Sequence, residues 1–349
     1  MTLGRPRKRG SIMDLPVQAR SQGLDIVRGT AVILMVVYHM CEYAPTPTNA
    51  SLMTICLALT AFRMPVLFLI SGFLSAGIVN KPKRQALSRV TNLAWLYVLW
   101  LPVMLLASPE KVRADAVYIL DNVWRPATEL WFIWALMILI ASLFIVVKIP
   151  RRTVLLASLL VATIDYSGIF GLTFGHDNLL RYAPMFYVGA LCRAEVAGLI
   201  KAPFSLRSAS VVVVGIAAIH VISELFRHSQ GWQLFGPIER ISVCAAAIYL
   251  LKPVEMMPAV ANSLASVGQK TLPIYLLHLP LWMALKPVIP KLGGVATPLL
   301  SASLLVVACL LIHHAARHSR MKWLFGQPLW WSNGIAQAAW AVDRRYMAR

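Results

Sequence analysis

Ten stretches of the chain are apolar over most of their length and nearly free of charge: 24–43, 52–79, 90–107, 129–147, 153–170, 180–197, 209–226, 238–251, 271–289 and 298–315. A helix needs about 20 apolar residues to cross the hydrocarbon core of a bilayer. The pattern predicts an all-α fold, a polytopic membrane helical bundle of about ten transmembrane helices over residues 24–315. A basic tail precedes it at 1–23 and a second tail follows at 316–349. The run at 238–251 is short and that at 153–170 contains Asp165, so nine or eleven crossings also fit. No soluble second domain, flexible linker or internal repeat is visible.

Composition points the same way. Of 349 residues, 58% are hydrophobic and 13% charged, with a mean hydropathy of +0.68, whereas about 25% of a soluble domain is charged. The net charge of +19 invites a nucleic-acid reading, but no basic stripe interleaved with aromatics accompanies it. Membrane topology accounts for it better. With the N-terminus inside and strict alternation, most of the 33 Lys and Arg residues fall in inner segments, as the positive-inside rule requires. Both termini are therefore expected in the cytoplasm, with inner ends at 80–89, 148–152 and 193–208 and outer loops at 44–51 and 108–128. The basic start "MTLGRPRKRGS" lacks a following short apolar core with a cleavage site, so it reads as a retained tail. Cys41, Cys56, Cys192, Cys244 and Cys309 show no CxxC pair and no metal-ligand spacing. They read as packing residues, and no metal site is expected.

The first apolar run, "LDIVRGTAVILMVVYHM", carries Asp25, Arg28 and His39, with Glu42 just beyond. Arg28 and His39 are eleven residues apart, which leaves them about 20° out of register and about 16 Å apart along a helix. They share a face. Asp25 and Glu42 each stand three residues from a basic partner, a spacing at which helical side chains meet. Simple closure of the two helix ends is one reading; a functional stripe is the other, because ionisable groups inside a span are costly. A histidine with a carboxylate neighbour is a ready general base.

Four motifs in order give a family resemblance. "LDIVRGTAVILMVVYH" resembles the opening of the acyltransferase family 3 membrane proteins, an Arg and a His separated by ten residues, here Arg28 and His39. "FRMPVLFLISGFLSAG" is similar to the family's second-helix signature, with Arg63, Pro65, Ser71, Gly72 and Phe73 in place. "ELWFIWAL", containing Trp131, resembles its Leu-Trp-Phe segment, and "TLPIYLLHLPLW" its late Tyr-Leu-Leu-His segment at Tyr275 and His278. The chain departs from the family at Ala94, near a common proline position.

The resemblance implies a multi-pass enzyme of the bacterial cytoplasmic (inner) membrane. Its donor would be acyl-CoA, with acetyl-CoA the expected form, and its acceptor a hydroxyl of a glycan or glycolipid outside the cytoplasm. No permanently bound cofactor and no nucleic-acid partner is implied. Within it, Arg28 would fix the donor, and His39, oriented by Glu42, would act as base. Arg84 and Arg89, in the basic loop after the second run, are candidate phosphate contacts and equally good topology determinants. Asp25, Arg63, Ser71, Trp131, Tyr275 and His278 are candidate substrate-binding or supporting residues. Arg63 needs a partner, for which Glu42 or an anionic ligand would serve, and Ser71-Gly72 suits close helix packing. Two other classes stay open: a transporter or glycan exporter using the buried charges as a proton relay, and a structural membrane protein in which Arg28 and His39 are dispensable.

Overall fold

The computed structural model describes residues 21–43, 50–107, 116–225, 235–289 and 292–334. Most of the 1–23 tail, the expected outer loop at 44–51 up to residue 49, and residues 108–115 of the second outer loop lie outside them. In chain order the helices are α1 (Gln22–Glu42), α2 (Ala50–Ala58), α3 (Thr60–Ser75), α4 (Lys83–Ala107), α5 (Ala116–Trp124), α6 (Trp131–Val146) and α7 (Arg151–Tyr166). They continue as α8 (Phe174–Leu191), α9 (Arg193–Lys201), α10 (Leu206–Leu225), α11 (Phe235–Leu250), α12 (Pro258–Gly268), α13 (Thr271–Leu285) and α14 (Ala296–Arg317). Short 3-10 helices follow α3, α11 and α14, and no strand occurs among the described residues.

Each apolar run coincides with helix. Five helical stretches are long and apolar enough to cross a bilayer, Gln22–Glu42, Ala50–Asn80, Arg84–Ala107, Leu206–Ser223 and Ala296–Arg317. A sixth is formed if α8 and α9, bent by 78°, are taken as one broken span. The other runs give α6, α7 and α11 of 16 residues and α13 of 15. Sixteen residues of helix rise about 24 Å, short of the ~30 Å hydrocarbon core. The described chain is thus an all-helical bundle with five or six candidate spans. The shorter α6 and α13 lie in its interior, with Trp131, Ile133, Trp134 and Leu139 buried on one and Ile274, Leu276, His278 and Trp282 on the other. α10, by contrast, turns Val211, Val213, Val214 and Val221 outward, as a lipid-facing helix does.

Asp165, the charge inside the fifth run, is buried at the end of α7 and accepts from Arg181 Nε of α8 at 2.6 Å. Ala94 leaves α4 uninterrupted, and the proline inside that helix is Pro102. The segment after α14 folds back onto α4: Trp95 and Trp100 donate their indole N–H to the carbonyls of Trp323 and Leu324, and Asn92 accepts from the Gln327 amide.

Two backbone contacts fix the middle of the bundle. A Cβ added at Gly72 of α3 would run into the Phe186 carbonyl of α8, and one at Gly189 of α8 into the Leu69 carbonyl of α3. These helices therefore touch backbone to backbone, which only small residues permit. Gly29 of α1 and Gly268 of α12 meet in the same reciprocal way, each against the other's helix backbone. α12 is an eleven-residue helix in a stretch that the hydropathy pattern assigns to an inner segment.

Candidate functional site

α1 carries its polar residues along the seam it shares with α13. Near the start of both helices, Arg28 donates through a terminal guanidinium nitrogen to Thr271 Oγ1 at 2.7 Å and lies 3.6 Å from Asp25 Oδ1. Farther along both, the His39 and His278 rings stand 5.3 Å apart, centroid to centroid. Both pairs can form only if α1 and α13 run parallel. The stripe is one wall of an interhelical seam with a cationic end and an imidazole end.

At the imidazole end, His39 is buried among polar partners from three elements. Its Nδ1 lies 3.3 Å from Glu42 Oε2, one turn on in α1, and its Nε2 lies 3.7 Å from Glu129 Oε2, just before α6. The ring is thus held between two carboxylates. Tyr43 stacks on it at 6.0 Å, and Tyr38 meets it edge-on at 5.2 Å while donating its hydroxyl to Glu42 Oε1 at 3.4 Å. When Nδ1–H is donated to Glu42, the lone pair of the neutral ring is on Nε2, the nitrogen that faces Glu129.

His278 is fully buried. Its Nδ1 lies 2.8 Å from the Tyr275 carbonyl and 3.2 Å from that of Ile274. Carbonyls only accept, so Nδ1 carries the hydrogen and Nε2 is the lone-pair nitrogen of the neutral ring. That Nε2 has no hydrogen-bond partner among the described residues, nor has the buried Tyr275 hydroxyl. A buried polar atom left unsatisfied is costly, and here two lie within a turn of the His39–His278 contact.

Arg63 is 5% exposed, with its guanidinium 4.1 Å over the Tyr38 ring and a terminal nitrogen donating to Thr60 Oγ1 at 2.7 Å. No carboxylate lies within ion-pair distance of it among the described residues, and its Nε is unpartnered. Glu42 reaches it only through Tyr38. Trp131 belongs to an aromatic wall, stacked on Phe68 and on Tyr182 at 5.9 and 5.6 Å, and Tyr275 extends the wall through Phe132 at 5.4 Å. Ser71 is half-buried beside Gly72 at the α3–α8 crossing.

Arg84 and Arg89 lie apart from Arg28. Arg84 donates to Asn333 Oδ1 at 3.3 Å and Arg89 to the Leu74 carbonyl at 3.1 Å. Arg89 lines a cavity of about 490 Å³ with Ser88, Asn92, Gly326 and Gln327, which includes neither Arg28 nor Arg84. Asp25 borders a separate cavity of about 310 Å³ with Asn262, Ser266 and Gln269. The structure brings together His39, Glu42, His278 and Tyr275, adds Arg63 through Tyr38, and leaves the three arginines of the basic end in separate environments. Glu129 is the residue the pattern of the sequence misses, although it opens the "ELWF" motif. No group of three metal-binding side chains occurs among the described residues.

The described residues thus form an all-helical bundle with five or six candidate membrane spans, in which one histidine lies between two carboxylates on the α1–α13 seam. The sequence matches the acyltransferase domain of acyltransferase family 3 over residues 21–313. The chain belongs to that family, and the match takes in α1 through most of α14 and every group of the imidazole cluster. No curated protein and no solved structure matches it.

Proposed function

We propose that this membrane acyltransferase is an O-acyltransferase of about ten crossings in the bacterial cytoplasmic membrane. It takes an acyl group, acetyl in the simplest case, from cytoplasmic acyl-CoA and places it on a hydroxyl of an extracytoplasmic glycan or glycolipid. The observation that carries this reading is the His39 ring between Glu42 and Glu129, at the far end of a seam that begins with Arg28. Strict alternation of ten crossings would make α1 and α13 parallel, as they are, and would put Arg28 inside and His39 in the outer half.

In the proposed reaction Arg28 holds a donor phosphate at the inner end, Arg84 and Arg89 in their separate environments add only longer-range attraction, and the thioester reaches His39 between α1 and α13. His39 Nε2 removes the proton of the acceptor hydroxyl as its oxygen attacks the thioester carbonyl. The tetrahedral intermediate collapses by breaking the C–S bond, and the CoA sulfur takes the proton back from Nε2. Glu42 fixes the tautomer through Nδ1–H, and Glu42 and Glu129 together stabilise the imidazolium that exists between the two transfers. The aromatic wall of Trp131, Phe68 and Tyr182 is buried and stacked on itself, so these rings serve the site as support.

The test is transfer from radiolabelled acetyl-CoA by the purified chain. His39→Gln should lower turnover by about 10²- to 10⁴-fold, the usual worth of general base catalysis, with donor binding retained. Near-normal turnover would move the base to His278.

A further inference from the structure

Cys41 and Cys56 place their sulfur atoms 3.8 Å apart, and both side chains are buried. Cys41 stands in the last turn of α1, between His39 and Glu42. Cys56 is the one residue of the nine in α2 that is buried, while its neighbours Ile55 and Leu57 are exposed. The thiol pair is therefore the point at which α2 seats on the helix end that carries the imidazole cluster. An S–S bond is about 2 Å long, so side-chain rotation and a small approach of the two helix ends would join the sulfurs.

We propose that Cys41 and Cys56 form a disulfide that clamps α2 to the His39 end of α1. The proposal rests on the orientation given above, which turns that end away from the reducing cytoplasm, because disulfides persist in oxidising compartments. In the step, both S–H bonds break and one S–S bond forms by thiol–disulfide exchange through a mixed disulfide. The two electrons pass to the disulfide of a thiol-oxidising protein, which leaves as a dithiol together with the two protons. The bond would close the segment between the two cysteines into a loop and hold Tyr43 and Glu42 against the imidazole. Cys244 and Cys309, buried on α11 and α14, have no thiol so placed.

The full-length chain is isolated from cells lysed in N-ethylmaleimide, denatured in fresh reagent, and cut at Tyr43 by chymotrypsin. Peptides carrying Cys41 and Cys56 should be linked and separate only on reduction, with Cys244 and Cys309 alkylated. Alkylated Cys41 and Cys56 overturn the proposal, and so does a link that forms only when oxidised glutathione is added to the purified chain. A phosphine reductant should lower the unfolding midpoint of the detergent-solubilised protein by several degrees and leave a Cys41→Ser, Cys56→Ser chain unmoved. An unmoved wild-type midpoint also overturns it. These readouts do not use acyl transfer, so a chain that transfers nothing leaves them intact.

Discussion

His39 offers one nitrogen to each of two acids, and the two acids are not equivalent. Glu42 is held by its own helix and by the Tyr38 hydroxyl, so it fixes the ring. Glu129 approaches from another element, on the nitrogen proposed to take the proton. Glu129→Gln should therefore slow transfer at least as much as Glu42→Gln, because it removes the charge nearest the new N–H, while neither change should affect donor binding. Turnover at saturating donor checks the order, and a Glu129→Gln enzyme as active as wild type would restrict Glu129 to packing. At the other end of the seam, Arg28 donates to Thr271 and lies 3.6 Å from Asp25. Arg28→Ala should weaken acyl-CoA binding about tenfold or more, since a charge-assisted contact is worth roughly 1.5–3 kcal/mol. Titration calorimetry reads this directly. Arg84→Ala should have a smaller effect that fades with salt, because that side chain is exposed and screened.

At the scale of elements, the glycine contacts set how close α3 and α8 come. Replacing Gly189 by Ala puts a methyl into the Leu69 carbonyl and should cost about 1–3 kcal/mol, the usual range for overpacking. A lowered unfolding midpoint in detergent checks it, and the same change at Gly215, where a Cβ meets nothing, should not lower the midpoint, since alanine is the better helix former. Part of this was legible in the sequence. The helix period puts Arg28 and His39 on one face without reference to any partner, and the small pair Ser71-Gly72 announces a close contact. What it does not announce is the partner, because Gly189 lies 117 positions on and carries no signal until the helices meet. Glu129 was hidden for the same reason: it opens an apolar run as many end-of-helix acids do, and only the docking of α6 brings it to His39. α12 was missed because eleven residues are too few to register as a crossing, yet it buries Ile26 of α1 against Ala261 and Ala265. Conversely, the grouping of Arg28 with Arg84 and Arg89 followed from charge alone, and charge does not say which helices stand between.

For the molecule as a whole, the direction of the seam is the functional question. α3 and α8 are parallel, since Phe68 stacks on Tyr182 and, one turn further along both, Gly72 meets Phe186 and Ala190, and strict alternation makes them parallel as it does α1 and α13. Contacts between helix ends then gather the basic residues on one side: Arg89 with the Leu74 carbonyl, Arg151 with Glu195 at 2.8 Å, Lys252 with the Ala202 carbonyl, and Arg84 with Asn333. In the proposed orientation, which follows the positive-inside rule, that side is cytoplasmic. The His39 cluster and the turn between α7 and α8 then face outward. In a chain with Cys192 replaced by Ser, a membrane-impermeant maleimide added to intact cells should label Ile169→Cys, in that turn and 74% exposed, and should label Arg320→Cys only after the membrane is opened. The reverse pattern would leave the imidazole cluster on the cytoplasmic side, where an acceptor outside the cell could not reach His39, and would remove the proposed direction of transfer while leaving the fold as described.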